Sequence, residues 1–119
     1  MRIPAETDAC LRKLQKAGYN LYYITNTNSM DYDAIMHNHP ILHEFNGGLA
    51  SHLVHLLKPD HRIFQLLLDQ YGLNAEECLF VDDLPMNVAG AIRVGMSGFV
   101  FRGSAKELKD EIIRLGGIR

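Results

Sequence analysis

The chain lacks the marks of several large functional classes. It carries two cysteines in 119 residues and no Cys-x-x-Cys, which argues against a disulfide framework and a cysteine zinc site. No apolar stretch approaches the roughly 20 residues of a membrane span. Met1-Arg2-Ile3-Pro4 leads into no apolar signal core, so the expected setting is cytoplasmic, with Cys10 and Cys78 as buried thiols. There is no excess of charge: the formal net is −2 at pH 7, and neither nucleic acid nor a membrane is indicated as partner. Six histidines (His37, His39, His43, His52, His55, His61) include no His-Glu-x-x-His spacing and read as surface or loop groups. No repeat, linker or low-complexity segment interrupts the chain. Residues 1–119 read as one domain, with a hydrophobic content of 47 % suited to a single core.

Against these absences stands an apolar run, Cys78-Leu79-Phe80-Val81, that ends in Asp82 and Asp83. Four apolar residues predict a short strand buried on both faces. Carboxylates at such a strand end sit where open parallel sheets bind ligands. Two adjacent like charges cost free energy unless a cation or basic group lies between them, so the pair points to a hard-metal site for Mg²⁺. The plainer alternative is that the two acids only open the loop and cap the next helix.

Two further loops carry compatible chemistry. Leu21-Tyr22-Tyr23-Ile24 predicts a second strand and is followed by Thr25-Asn26; Lys58-Pro59-Asp60 precedes an amphipathic helix. A hydroxyl with backbone N–H groups, a lysine and a carboxylate pair suit a phosphoryl group. The first donates to phosphate oxygens, the lysine neutralises them, and a metal bridges phosphate to carboxylate.

The rest of the chain alternates helices with short strands. Cys10, Leu11, Leu14 and Ala17 share one face of a helix over about 5–17, and Gly18 stops it. Residues 30–45 suggest two short helices broken before Pro40. Gly47–Ala50 is a weak strand ending at Ser51. Asp60 caps a helix bearing Ile63, Phe64, Leu67, Leu68 and Tyr71, closed by Gly72. Val88, Ala91 and Ile92 are predicted to face inward from a helix over 86–94. Gly98–Phe101 is the last strand, and Ser104 opens a final helix whose stripe is Leu108, Ile112 and Leu115. This alternation predicts an α/β fold, a three-layer Rossmann-like parallel sheet with helices on both faces.

With Thr25-Asn26, Lys58-Pro59 and Asp82-Asp83-Leu84-Pro85-Met86-Asn87 in this order, the chain resembles the haloacid dehalogenase-like (HAD) superfamily, in particular the later part of glucose-1-phosphate phosphatases and of epoxide-hydrolase-type phosphatase domains. Those three segments look like the family's second, third and fourth motifs. The resemblance implies a Mg²⁺-dependent phosphomonoester phosphatase acting on a small phosphorylated metabolite, with sugar phosphate as the guess from the closest likeness. Haloacid dehalogenation needs no metal, and the aspartate pair argues for one. By this resemblance Thr25 and Asn26 donate to the phosphoryl group and Lys58 holds it. Asp83 ligates the metal. Asp82 contacts Lys58 or supports the metal site. Asn87 falls where many relatives carry a second metal-supporting acid; an amide there can orient water or Asp83 but brings no charge. Thr25, Lys58 and Asp83 are expected to share one rim.

The family's first motif, a strand ending in Asp-x-Asp that supplies the nucleophile and the general acid, has no counterpart before Thr25, nor is there a cap segment. Asp31-Tyr32-Asp33 has the spelling, but it follows the polar Asn26-Thr27-Asn28-Ser29-Met30, which is turn-forming rather than a buried strand. Acids there suit the first turn of a helix. The expectation is therefore a truncated HAD core without its central first strand, inactive alone. A gene fragment, a shortened product or half of a split gene would read this way. A non-catalytic HAD-fold binding module or a degraded fragment is the alternative. The strands at 21–24 and 78–82 would close up and pair directly, pair with a second copy as a homodimer, or take a strand from another chain.

Overall fold

A computed structural model describes residues 5–116. Four strands and six α-helices follow one another as α1 (Ala5–Lys16), β1 (Tyr22–Thr25), α2 (Ser29–Asn38), β2 (Gly47–Ala50), α3 (Ser51–Val54), α4 (His61–Tyr71), β3 (Leu79–Asp82), α5 (Pro85–Arg93), β4 (Ser97–Val100) and α6 (Ala105–Arg114). Short 3₁₀ segments lie at Pro40–Glu44 and Ala75–Glu77. The chain folds into two compact units that divide between Leu57 and Lys58.

Each unit is built on one parallel ladder closed by a helical crossover. In the first, β1 pairs with β2, Tyr22 opposite Gly47 through Thr25 opposite Ala50. In the second, β3 pairs with β4, Leu79 opposite Ser97 through Asp82 opposite Val100. Direct pairing of β1 with β3, one of the outcomes expected from the sequence, is not among the ladders of the described residues. The reason is local. Parallel strands need a crossover, and α2 and α5 each supply one within a single unit.

The first unit buries Ile24, Leu49 and Ala50 from its strands and Ile41 and Leu42 from the 3₁₀ segment, but no residue of α1 or α2 is fully buried. Side-chain bonds hold α1 instead: Arg12 bridges Asp8 at 2.6 Å and Glu44 at 2.7 Å, and Gln15 donates to the Glu44 carbonyl.

The second unit has a true helical core. Ile63, Phe64, Leu67 and Leu68 of α4 are buried with Val88 and Ala91 of α5, Met96 and Leu108. Phe64 meets Phe80 edge to face, ring centroids 4.9 Å apart, the arrangement favoured by ring quadrupoles. Asp60 caps α4 by accepting the Arg62 N–H, and Gly72 ends it with a left-handed φ of 63°. Ser104 caps α6 by accepting the Glu107 N–H.

Three sequence expectations change here. Val81 is 37 % exposed, so β3 is not buried on both faces. Cys78 lies just before β3. Ile92 is 54 % exposed, because α5 turns Val88 and Ala91 inward and its stripe is narrower than the periodicity suggested.

Candidate functional site

The second unit places charge at the end of β3. Asp82 is the last ladder residue, and Lys58 enters from the segment before α4. Lys58 Nζ donates to Asp82 Oδ2 at 2.8 Å, with side-chain exposures of only 12 % and 7 %. The buried Asn87 reaches the same oxygen through Nδ2 at 3.3 Å, and the Leu84 N–H donates to Asp82 Oδ1 at 2.9 Å. Both carboxylate oxygens are thus engaged. Burial alone would raise the Asp82 carboxyl; the hydrogen bond and charge of Lys58 and the Leu84 N–H outweigh it and hold the group below its ordinary value.

Two devices bring Lys58 there. Gly90 of α5 lies against the Lys58-Pro59 segment so closely that a Cβ would stand 2.5 Å from the Pro59 carbonyl oxygen and 2.9 Å from the Phe64 ring. The absence of a side chain allows that approach. The Lys58 ammonium also sits 5.8 Å from the Phe80 ring centroid, within the range of a cation–π contact.

Asp83 is the exposed neighbour of this pair. Neither aspartate caps α5: its N-cap is Leu84, with Pro85 in the first turn and no side-chain cap bond. Asn87 gives its amide to Asp82, tying α5 to the strand end.

These residues fit a magnesium ion in one way. Mg²⁺ keeps several waters and takes one or two carboxylates plus phosphate oxygens, and Asp83 offers one such carboxylate. Asp82 and Asn87 are committed to Lys58 and to each other. Among the described residues no group of three His, Cys, Asp or Glu side chains is placed to hold a metal.

The first unit carries neutral donors. Thr25 ends β1 and is 6 % exposed; its Oγ1 is buried without a hydrogen-bond partner. A buried hydroxyl left in that state costs about 1–3 kcal/mol, and a ligand acceptor would remove the cost. Asn26 follows on the exposed loop. The loop is pinned on its far side: Asn28 caps α2 by accepting the Asp31 N–H at 2.8 Å, and its amide reaches Asp31 Oδ2. Asp31 and Asp33 lie within α2, so the Asp-x-Asp spelling there is on a helix and not at a strand tip.

From the sequence, Ser51 reads as no more than the end of a weak strand. Ser51 is 4 % exposed, and its Oγ accepts the Thr27 N–H at 2.7 Å and donates to the Thr27 carbonyl at 2.9 Å. Its only sequence signal is a hydroxyl residue directly after a parallel strand. Of the histidines, His52 is part-buried with an unpartnered Nδ1 beside Tyr32, and His43 meets the Met36 carbonyl.

Known proteins resemble the chain in sequence and in fold. Residues 3–95 match the family model described as haloacid dehalogenase-like hydrolase. A sesquiterpene phosphatase of Aspergillus oryzae is 35 % identical over 98 residues, covering 82 % of this chain and 50 % of that protein. A phosphoglycolate phosphatase of Aliivibrio fischeri is 28 % identical, covering 75 % of this chain and 39 % of that protein. The chain therefore spans half or less of the length of these relatives. Among solved structures, a HAD-like family hydrolase of Porphyromonas gingivalis matches with a TM-score of 0.79 and 30 % identity, over 96 % of this chain and 58 % of that one. A HAD family enzyme of Bacteroides thetaiotaomicron, solved with magnesium and inorganic phosphate, matches with a TM-score of 0.76 and 25 % identity over 85 % of this chain and 54 % of that one. No described helix is long and apolar enough to cross a membrane. The chain belongs to the haloacid dehalogenase-like hydrolases.

Proposed function

We propose that this chain is the phosphoryl-binding part of a Mg²⁺-dependent phosphomonoester hydrolase whose nucleophilic aspartate comes from another polypeptide segment. The observation that carries this reading is the Lys58–Asp82 pair, 2.8 Å long and largely buried at the end of a parallel strand. A lysine held in that way presents fixed positive charge at a sheet's ligand-binding end, where a phosphoryl group is bound by preorganised charge rather than by mobile surface residues.

Each side chain then has a task. Lys58 neutralises phosphoryl oxygens, and Asp82 and Asn87 keep it in place. Within the first unit, the Thr25 hydroxyl, which has no acceptor of its own, and the Asn26 amide are donors suited to phosphoryl oxygens. Asp83 is the ligand for Mg²⁺, which when bound neutralises charge on phosphate oxygens. No described residue stands as an attacking aspartate: the one Asp-x-Asp is in α2, away from a strand tip.

Turnover of p-nitrophenyl phosphate in Mg²⁺ tests the proposal. The expected result is that the purified chain does not exceed its Asp83→Ala variant. Turnover that Asp83→Ala abolishes would show that the chain carries its own nucleophile.

A further inference from the structure

We infer that Ser51 is a positioning residue for the Thr25-Asn26 loop, holding it in the shape that receives phosphoryl oxygens; the inference rests on the phosphoryl-binding reading above.

The first ladder is short. β1 and β2 share four residue pairs and end at Thr25 opposite Ala50. A four-rung ladder frays readily, and the residues of interest lie at and just beyond its last rung. At both ends, side chains extend it. Before the first rung, the Asn46 Oδ1 accepts the Leu21 N–H at 2.8 Å and the Asn46 N–H donates to the Leu21 carbonyl at 2.8 Å. After the last rung, the Ser51 hydroxyl takes both backbone groups of Thr27. One small side chain thus does what another strand residue would do.

Ser51 does not itself face a ligand. Its hydroxyl proton is given to the Thr27 carbonyl and an oxygen lone pair accepts the Thr27 N–H. Its effect passes through the backbone: with Thr25 fixed by the ladder and Thr27 by Ser51, Asn26 is tethered on both sides. The Asn28 cap on α2 holds the next residue. The segment from 25 to 28 is therefore ordered before any ligand arrives, and a ligand does not have to bear the entropy of ordering it.

The test is a titration of the full chain with inorganic phosphate in Mg²⁺, read from the amide resonances of Thr25 and Asn26. Ser51→Ala should raise the dissociation constant about tenfold, while Ser51→Thr, which keeps the hydroxyl, should bind as the parent chain does. A double-mutant cycle gives the readout that general destabilisation would not: Ser51→Ala added to Thr25→Val should cost less affinity than Ser51→Ala costs the parent chain, because the two act through one loop and only Asn26 is left for Ser51 to position. In the unaltered chain the Thr27 amide should exchange slowly with solvent, a measurement that stands even where Ser51→Ala fails to fold. A folded Ser51→Ala chain with parental affinity, beside a weakened Thr25→Val, would overturn the role of Ser51 alone, as would a Thr27 amide exchanging at open-loop rates. No phosphate response at Thr25 and Asn26 in the unaltered chain would overturn the loop's phosphoryl role together with it.

Discussion

The two units reach a similar strand-end design by different chemistry. In the first, the β1 end is organised by neutral hydrogen bonds: Ser51 to Thr27, and Asn28 to Asp31. In the second, the β3 end is organised around an ion pair, Lys58 with Asp82, whose carboxylate also takes Asn87 and Leu84. Their cores differ too. Phe64 and Ile63 of α4 are fully buried, whereas α1 and α2 bury no residue. The second unit can hold a buried charge pair because a packed helical core fixes its walls. The first, with little helical core, uses groups whose burial costs less when they move.

The sharpest way to break this comparison is to empty the second core. Phe64→Ala removes a fully buried ring and its contact with Phe80, and should cost about 3–5 kcal/mol in urea unfolding. Leu14→Ala in α1, a half-buried site, should cost only about 1 kcal/mol. Equal losses at the two positions would mean that the contrast in packing carries no energy.

The ion pair comes next. Lys58→Met strands the Asp82 carboxylate and should cost about 2–4 kcal/mol at neutral pH. The pH dependence has a definite sign. The Asp82 carboxyl sits below its ordinary value when folded, so its stabilisation is present above the unfolded value of about 3.9 and is lost as pH falls through the folded one. The difference between the parent chain and Lys58→Met should therefore shrink on acidification below about pH 4. Urea unfolding at stepped pH measures it, and a difference that stays constant into acid would remove the pair from the account. Ser51→Ala, by contrast, should carry a cost independent of pH.

A smaller effect than the loss of the ion pair is expected at the helix contact that admits Lys58. Gly90→Ala places a methyl against the Pro59 carbonyl oxygen and should cost about 1–3 kcal/mol. It should also weaken phosphate binding, since the Lys58-Pro59 segment must shift. Unchanged stability and affinity together would show that the close approach has no role.

Much of this was legible in the chain. The apolar runs at 21–24 and 78–82 marked β1 and β3 because β-forming residues bounded by polar turns leave few alternatives. The resemblance implied that Asp82 contacts Lys58 or supports the metal site, and the contact with Lys58 is present. The ladder partners were harder to read. Gly47–Ala50 has little side chain to announce a strand, and it pairs with β1 through its backbone. Helical periodicity marked an apolar face on α1 but not whether anything would cover it. Ile92 falls on the expected face of α5 yet is exposed for the same reason. Ser51 and Gly90 were out of reach because their importance lies in a single contact with a residue distant in sequence: a hydroxyl on Thr27, and a missing Cβ against Pro59.

The proposed role of the β3 end is that of a phosphoryl anchor built on Lys58. Its most direct test is calorimetric titration of inorganic phosphate into the full chain in Mg²⁺, repeated with Lys58→Met at a temperature where both are folded. Weak, saturable binding by the parent chain and at least a tenfold loss in the variant are expected. Parental affinity in a folded Lys58→Met chain, or no saturable binding in the parent chain itself, would contradict that role.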